Sequence, residues 1–197
     1  MNQKLSFMPL ALLLAICCSY GQGTIIYDQQ SSTDEITRAG NTTIQLGQPI
    51  GQSFTPSLAA VDFIRLKLND FNLNNGLGAT LYLNLRANSI SGSILSSMPA
   101  VTLDDNFAGV VSFSFSNSVP LTPGVTYYFQ PVVQSGDLWN LDAEEYNYPG
   151  GMTIYQGLGS PGSDLWFREG IVVPEPGTWA LLIAGVAALA LRRRLFQ

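Results

Sequence analysis

Between Thr24 and Gly170 apolar side chains recur at every second position, which is the period of strands and not of helices. Ala79, Leu81, Leu83 and Leu85 alternate with Thr80, Tyr82, Asn84 and Arg86, and Val111, Phe113 and Phe115 alternate with Ser112, Ser114 and Ser116. Each stretch therefore turns one apolar face inward. Further short strands are expected over 24–27, 50–54, 61–68, 125–133, 138–141, 152–155 and 164–168. Turn residues punctuate them at Asn74-Asn75-Gly76, Ser91-Gly92-Ser93, Pro123-Gly124, Ser135-Gly136-Asp137, Pro149-Gly150-Gly151 and Pro161-Gly162-Ser163. About eight to ten short strands at this spacing predict an all-β body, an antiparallel β-sandwich of jelly-roll type, with an up-and-down barrel as the alternative.

Two apolar runs frame that body. Leu5 to Cys18 is broken only by Ser6 and Pro9; Lys4 precedes it, and the small residues of Ser19-Tyr20-Gly21 and Gly21-Gln22-Gly23 follow. This is the plan of a secretory signal peptide over 1–23. Leu14-Ala15-Ile16-Cys17 has the outline of a lipidation site, but Ile16 is bulky for the residue before a lipidated Cys. At the other end, Thr178 to Leu191 is uncharged and largely apolar, and Arg192, Arg193 and Arg194 follow it. Fourteen residues make roughly 21 Å of helix against a hydrocarbon core of roughly 30 Å. Snorkelling arginine stems and a start at Gly177 close the difference, so a single transmembrane helix is expected. The triple Arg stays on the cytoplasmic side and places the body outside that membrane. The expected organisation is a signal peptide over 1–23, a β-sandwich over 24–170 and a sorting segment over 171–197.

Composition narrows the chemistry. Histidine is absent, and the only cysteines, Cys17 and Cys18, fall in the signal peptide. A body without either has no imidazole base, no Cys or Ser–His nucleophile system, no disulfide and no thiolate or imidazole zinc site. From Thr24 to Val173 there are five cations (Arg38, Arg65, Lys67, Arg86 and Arg168) against thirteen carboxylates, a net charge of -8. A nucleic-acid partner is excluded on that balance, because phosphate neutralisation needs clustered Lys and Arg.

Val173, Pro174, Glu175 and Pro176, followed by the short helix and the basic cluster Arg192 to Arg194, resemble the PEP-CTERM sorting signal. The two prolines remove amide donors and disfavour helix before them, so this strip should be extended and accessible. The resemblance covers about the last 25 residues and implies recognition by an exosortase in a Gram-negative bacterium that makes extracellular polysaccharide. It further implies delivery to the cell envelope or extracellular matrix from a membrane-anchored precursor. The body is similar to a recurrent module of bacterial secreted proteins, through Gly51-Gln52-Ser53-Phe54, Leu121 to Tyr128, Tyr148-Pro149-Gly150-Gly151 and Asp164 to Arg168. Such bodies are similar in shape to carbohydrate-binding modules, a likeness of fold that transfers no functional residue.

Two groups of residues stand out. Asp142, Glu144 and Glu145 are the densest carboxylates, flanked by Trp139, Tyr146 and Tyr148. They suit either a solvated acidic loop, a calcium site built from several oxygens, or the acid of a glycosidase. In Asp164 to Arg168 the parity sets Leu165 and Phe167 on one face and Trp166 with the charged Asp164 and Arg168 on the other. An indole there could stack on a sugar ring while the charges bond its hydroxyls; the plainer reading is a Trp covering the sandwich edge. Trp139 shares the parity of Leu141 and is expected in the core. The leading expectation is a non-enzymatic exported protein of structural or weakly polysaccharide-binding role, with no cofactor. The alternatives are a glycan-active hydrolase or lyase using Glu144 or Glu145 with Tyr146, and a calcium-stabilised adhesion module.

Overall fold

The computed structural model describes residues 23–36, 39–145 and 148–173, with the backbone alone at Glu145. The chain divides into the body Ile25–Val172 and a unit of its two ends. Residues 1–22 of the signal peptide expected over 1–23, the apolar run Thr178 to Leu191, Pro174, Glu175, Pro176, Arg192, Arg193, Arg194 and Tyr146 lie outside the described residues.

Fourteen strands follow one another: β1 (Thr24–Gln30), β2 (Gly40–Thr43), β3 (Gly51–Phe54), β4 (Ala60–Asp70), β5 (Ala79–Ala87), β6 (Ile94–Ser97), β7 (Val101–Leu103), β8 (Ala108–Pro120), β9 (Tyr127–Gly136), β10 (Trp139–Glu145), β11 (Thr153–Tyr155), β12 (Leu158–Ser160), β13 (Ser163–Leu165) and β14 (Phe167–Val173). They build two antiparallel seven-stranded sheets. In the first, β1, β14, β4, β10 and β13 are neighbours in that order, with β2 on β10 and β8 on β4. In the second the order is β12, β11, β3, β9, β5 and β6, with β7 also on β5. Two separate sheets, in a sandwich-like arrangement, replace the alternative of a closed barrel.

The period-two pattern is what joins them. Ile64, Leu66 and Leu68 of β4 and Phe113 of β8 meet Leu81, Leu83 and Leu85 of β5 and Phe129 of β9 in one buried cluster. Phe129 and Phe167 cross from sheet to sheet with ring centroids 5.4 Å apart. Each such side chain contributes about 1.5–3 kcal/mol when taken out of water. Trp139 and Leu141 belong to the same cluster, as their parity predicted.

A polar bridge reinforces this contact. Gln52 of β3, fully buried, donates through Nε2 to Asp164 Oδ1 at 2.7 Å and accepts at Oε1 from the Leu165 N–H at 2.9 Å. Asp164 also accepts the Tyr148 N–H at 3.0 Å.

The expected single strand over 164–168 is in fact two. β13 is antiparallel to β10 and β14 is antiparallel to β4, while β4 and β10 are antiparallel to each other. β13 and β14 therefore run in opposite directions, and Trp166 is the apex where the chain reverses. Ser31 secures that apex: Oγ donates to Leu165 O at 2.8 Å and accepts the Phe167 N–H at 2.9 Å. β1 can lie against β14 because Gly170 has no side chain, since a Cβ there would stand 1.9 Å from Ile26 O.

Candidate functional site

Trp166 does sit on the face opposite Leu165 and Phe167, but that face is covered. The segment Ser31–Ile36 crosses it, and the side chains of the sheet bind the carbonyls of the segment. Trp166 Nε1 donates to Asp34 O at 2.8 Å, Arg168 Nε to Ser32 O at 2.9 Å and Lys67 Nζ to Ile36 O at 3.1 Å. Trp166 is fully buried, and the Arg168 guanidinium stacks on its ring at 4.9 Å. The sugar-stacking expectation is corrected accordingly: the indole has no open face, Asp164 is spent on Gln52 and Tyr148, and Arg168 is held by Ser32 and by Glu35 at 3.6 Å. Arg65 and Arg168 are direct cross-strand partners, and Glu35 reaches both, with Arg65 at 3.3 Å.

The acidic cluster is not a loop, because β10 continues through it to Glu145. Asp142 is buried, accepting from Asn69 Nδ2 at 2.6 Å and lying 3.7 Å from Lys67 Nζ. Glu144 is buried too, and its Oε1 has no hydrogen-bond partner. Burial, then the negative Asp34, push the Glu144 carboxyl above the usual range against the pull of Lys67. Asp142 and Glu144 of the expected calcium trio lie two residues apart in β10, and among the described residues no three His, Cys, Asp or Glu are grouped to hold a metal ion.

Where the edges of the two sheets part, an open groove of about 490 Å³ lies between β2, β10 and β13 on one side and β11 and β12 on the other. Asn41, Thr42, Thr153, Tyr155, Ser160 and Ser163 give it a lining of hydroxyl and amide groups, and Glu144 is the one carboxylate-bearing residue in the described lining. Tyr155, 40% exposed, is the aromatic residue of its wall, and its partner across the β11–β12 hairpin, Leu158, is 75% exposed.

The hairpin that presents Tyr155 is set by its turn. Gln156 and Gly157 both take positive φ, 50° and 78°, as a two-residue hairpin turn requires. The Gln156 N–H donates to Gly47 O at 2.8 Å and the Gly157 N–H to Pro49 O at 2.9 Å, fixing the tip against the body. Sequence reasoning assigned the strand but missed the residue. The available signal was an aromatic residue, Tyr155, at the end of a strand just ahead of a Gly turn.

The last strand ends at Val173, 39% exposed, at the start of the sorting strip. Among the described residues no helix is long and apolar enough to cross a membrane. Residues 172–194 match the PEP-CTERM protein-sorting motif. No curated protein matches the chain. The motif implies an exported protein, anchored in a membrane before processing, with an exosortase as its processing partner.

Proposed function

We propose that this exported protein is a non-enzymatic component of the surface or extracellular matrix of a Gram-negative bacterium, whose jelly-roll-like body binds polysaccharide weakly. The observation that carries the reading is the groove beside Tyr155, open to solvent and lined by hydroxyl and amide groups. Sugar hydroxyls pair with such groups, and a half-exposed aromatic ring gives the apolar face of a pyranose a platform. Glycoside hydrolysis would instead need two carboxyls facing across the scissile bond; Glu144 is the carboxylate-bearing residue of the described lining.

Affinity electrophoresis through gels containing the exopolymer of the producing organism tests this. Tyr155→Ala should weaken retardation roughly fivefold, the equivalent of about 1 kcal/mol of ring stacking. It should leave the fold intact, because exposed substitutions shift stability by about 0.5 kcal/mol at most. Equal migration with and without polymer would remove the binding role and leave a structural one.

A further inference from the structure

Lys67 is the single lysine of the body, the other lysine of the chain being Lys4. Buried lysines are rare because desolvating an ammonium is costly, yet Lys67 is only 9% exposed. Its neighbours Leu66 and Leu68 point into the core, so its own side chain lies on the outer face of the sheet. The β4–β10 ladder pairs Asn69 with Asn140 and Leu68 with Leu141. One step further Lys67 meets Asp142, with Nζ 3.7 Å from Oδ2.

The surroundings hold this pair in place and away from solvent. Asp142 is 3% exposed; Asn69 Nδ2 holds its Oδ1 at 2.6 Å, and Asn140 Nδ2 in turn donates to Asn69 Oδ1 at 3.1 Å. Ile36 O accepts from Lys67, the Trp166 N–H donates to Asp142 O at 2.9 Å, and the buried indole of Trp166 is tied to Asp34 above. Glu144 follows Asp142 by two residues in β10, on the same face, with its buried Oε1 unpartnered.

An amine and a carboxyl held side by side without bulk water, with a second carboxyl near, are the reactants for amide formation. Fixed proximity removes the entropy of encounter, and exclusion of water disfavours the charged pair relative to the neutral amine and acid that react. We propose that Lys67 and Asp142 condense into an intramolecular isopeptide bond from Nζ to Cγ, with Glu144 carrying the proton. One proton passes from the ammonium to the Asp142 carboxylate through Glu144, leaving an amine and an acid. Nζ then attacks Cγ. A second proton moves from nitrogen to the departing oxygen, the Cγ–O bond breaks, and an amide and one water result. No co-reactant is consumed. The bond ties β4 to β10 covalently in a body without cysteine, as a disulfide does where thiols are present. It does not rest on the polysaccharide reading, although Glu144 also lines the groove.

The test is peptide mass spectrometry on the full chain, folded as shown by circular dichroism and a cooperative melt, then denatured and digested. The expected product is a branched peptide joining the segments that contain Lys67 and Asp142, one water lighter than their sum and resistant to trypsin at Lys67. Lys67→Arg and Asp142→Ala should each yield only linear peptides. Glu144→Gln should fold and accumulate the linear form while wild type is fully joined. Linear peptides with a free Lys67 amine from folded wild type would overturn the proposal and leave an ion pair alone. Joining at the wild-type rate in Glu144→Gln would overturn the proton-carrying role.

Discussion

Glu169 gives the body a stability that should decline as pH rises. It follows Phe167 and Arg168 in β14, so its parity is that of the inward-facing Phe167. It is fully buried, and neither carboxyl oxygen has a hydrogen-bond partner. Burial first, then the negative Asp28, push its carboxyl up to about 9 from an ordinary 4.5. Between those values the folded chain keeps a proton that the unfolded chain has released, so stability falls as pH rises. The contribution is fully present below the unfolded value and is lost as pH climbs through the folded one. The slope is about 1.4 kcal/mol per pH unit, or about 4 kcal/mol between about pH 5 and pH 8. That is a large share of the roughly 5–15 kcal/mol that holds a typical domain together. Other shifted groups act elsewhere. Asp28, whose desolvation is outweighed by hydrogen bonds from Ser57 and Leu58, titrates below the usual range, and Tyr148, pushed up to about 12 by burial, acts only in strong alkali. Glu144, raised by burial, leans the same way as Glu169. Urea unfolding at several pH values measures the effect. Wild type should lose midpoint steadily toward pH 8, while Glu169→Gln, uncharged at every pH, should match it near pH 5 and exceed it at pH 8. Parallel curves for the two proteins would refute the assignment of a protonated carboxyl at this position.

Two further substitutions probe the body. Gln52→Leu removes the bonds to Asp164 and the Leu165 N–H that bridge the sheets at a site without water access, and should cost about 2–4 kcal/mol in urea unfolding. Glu35→Gln releases the carboxylate shared by Arg65 and Arg168; with Glu35 48% exposed, the loss should stay under about 1 kcal/mol and vanish at high salt in thermal melts.

What could be read in the sequence was whatever depends on one strand at a time. Alternation in 79–86 and 111–116 placed the inward side chains of β5 and β8, and parity correctly separated Trp166 from Leu165 and Phe167. The cover over Trp166 could not be read, because Ser31–Ile36 reaches it from a hundred and more residues away and binds through backbone carbonyls, which carry no side-chain signature. β2, with the sequence GNTT, has no apolar residue to betray it, and it exists because β10 offers it a ladder. β10 itself seemed to end at Leu141, since Ala143 is a faint apolar mark between two acids. Glu169 hid the length of β14 for the opposite reason: a carboxyl at an inward position contradicts a strand unless it is held neutral, a condition that only the folded surroundings create. The sorting strip was legible because its information is linear, a run of adjacent residues read by a partner. The groove was not, because its walls come from both sheets and meet only when the sandwich closes. The same distinction separates the two inferences about this body. The Lys67–Asp142 pair depends on one ladder whose register is fixed by the flanking core residues Leu68 and Leu141, whereas sugar binding at Tyr155 depends on how two sheet edges are spaced. A core substitution that loosens the edges without breaking that ladder should therefore weaken polysaccharide retention and leave the covalent tie in place.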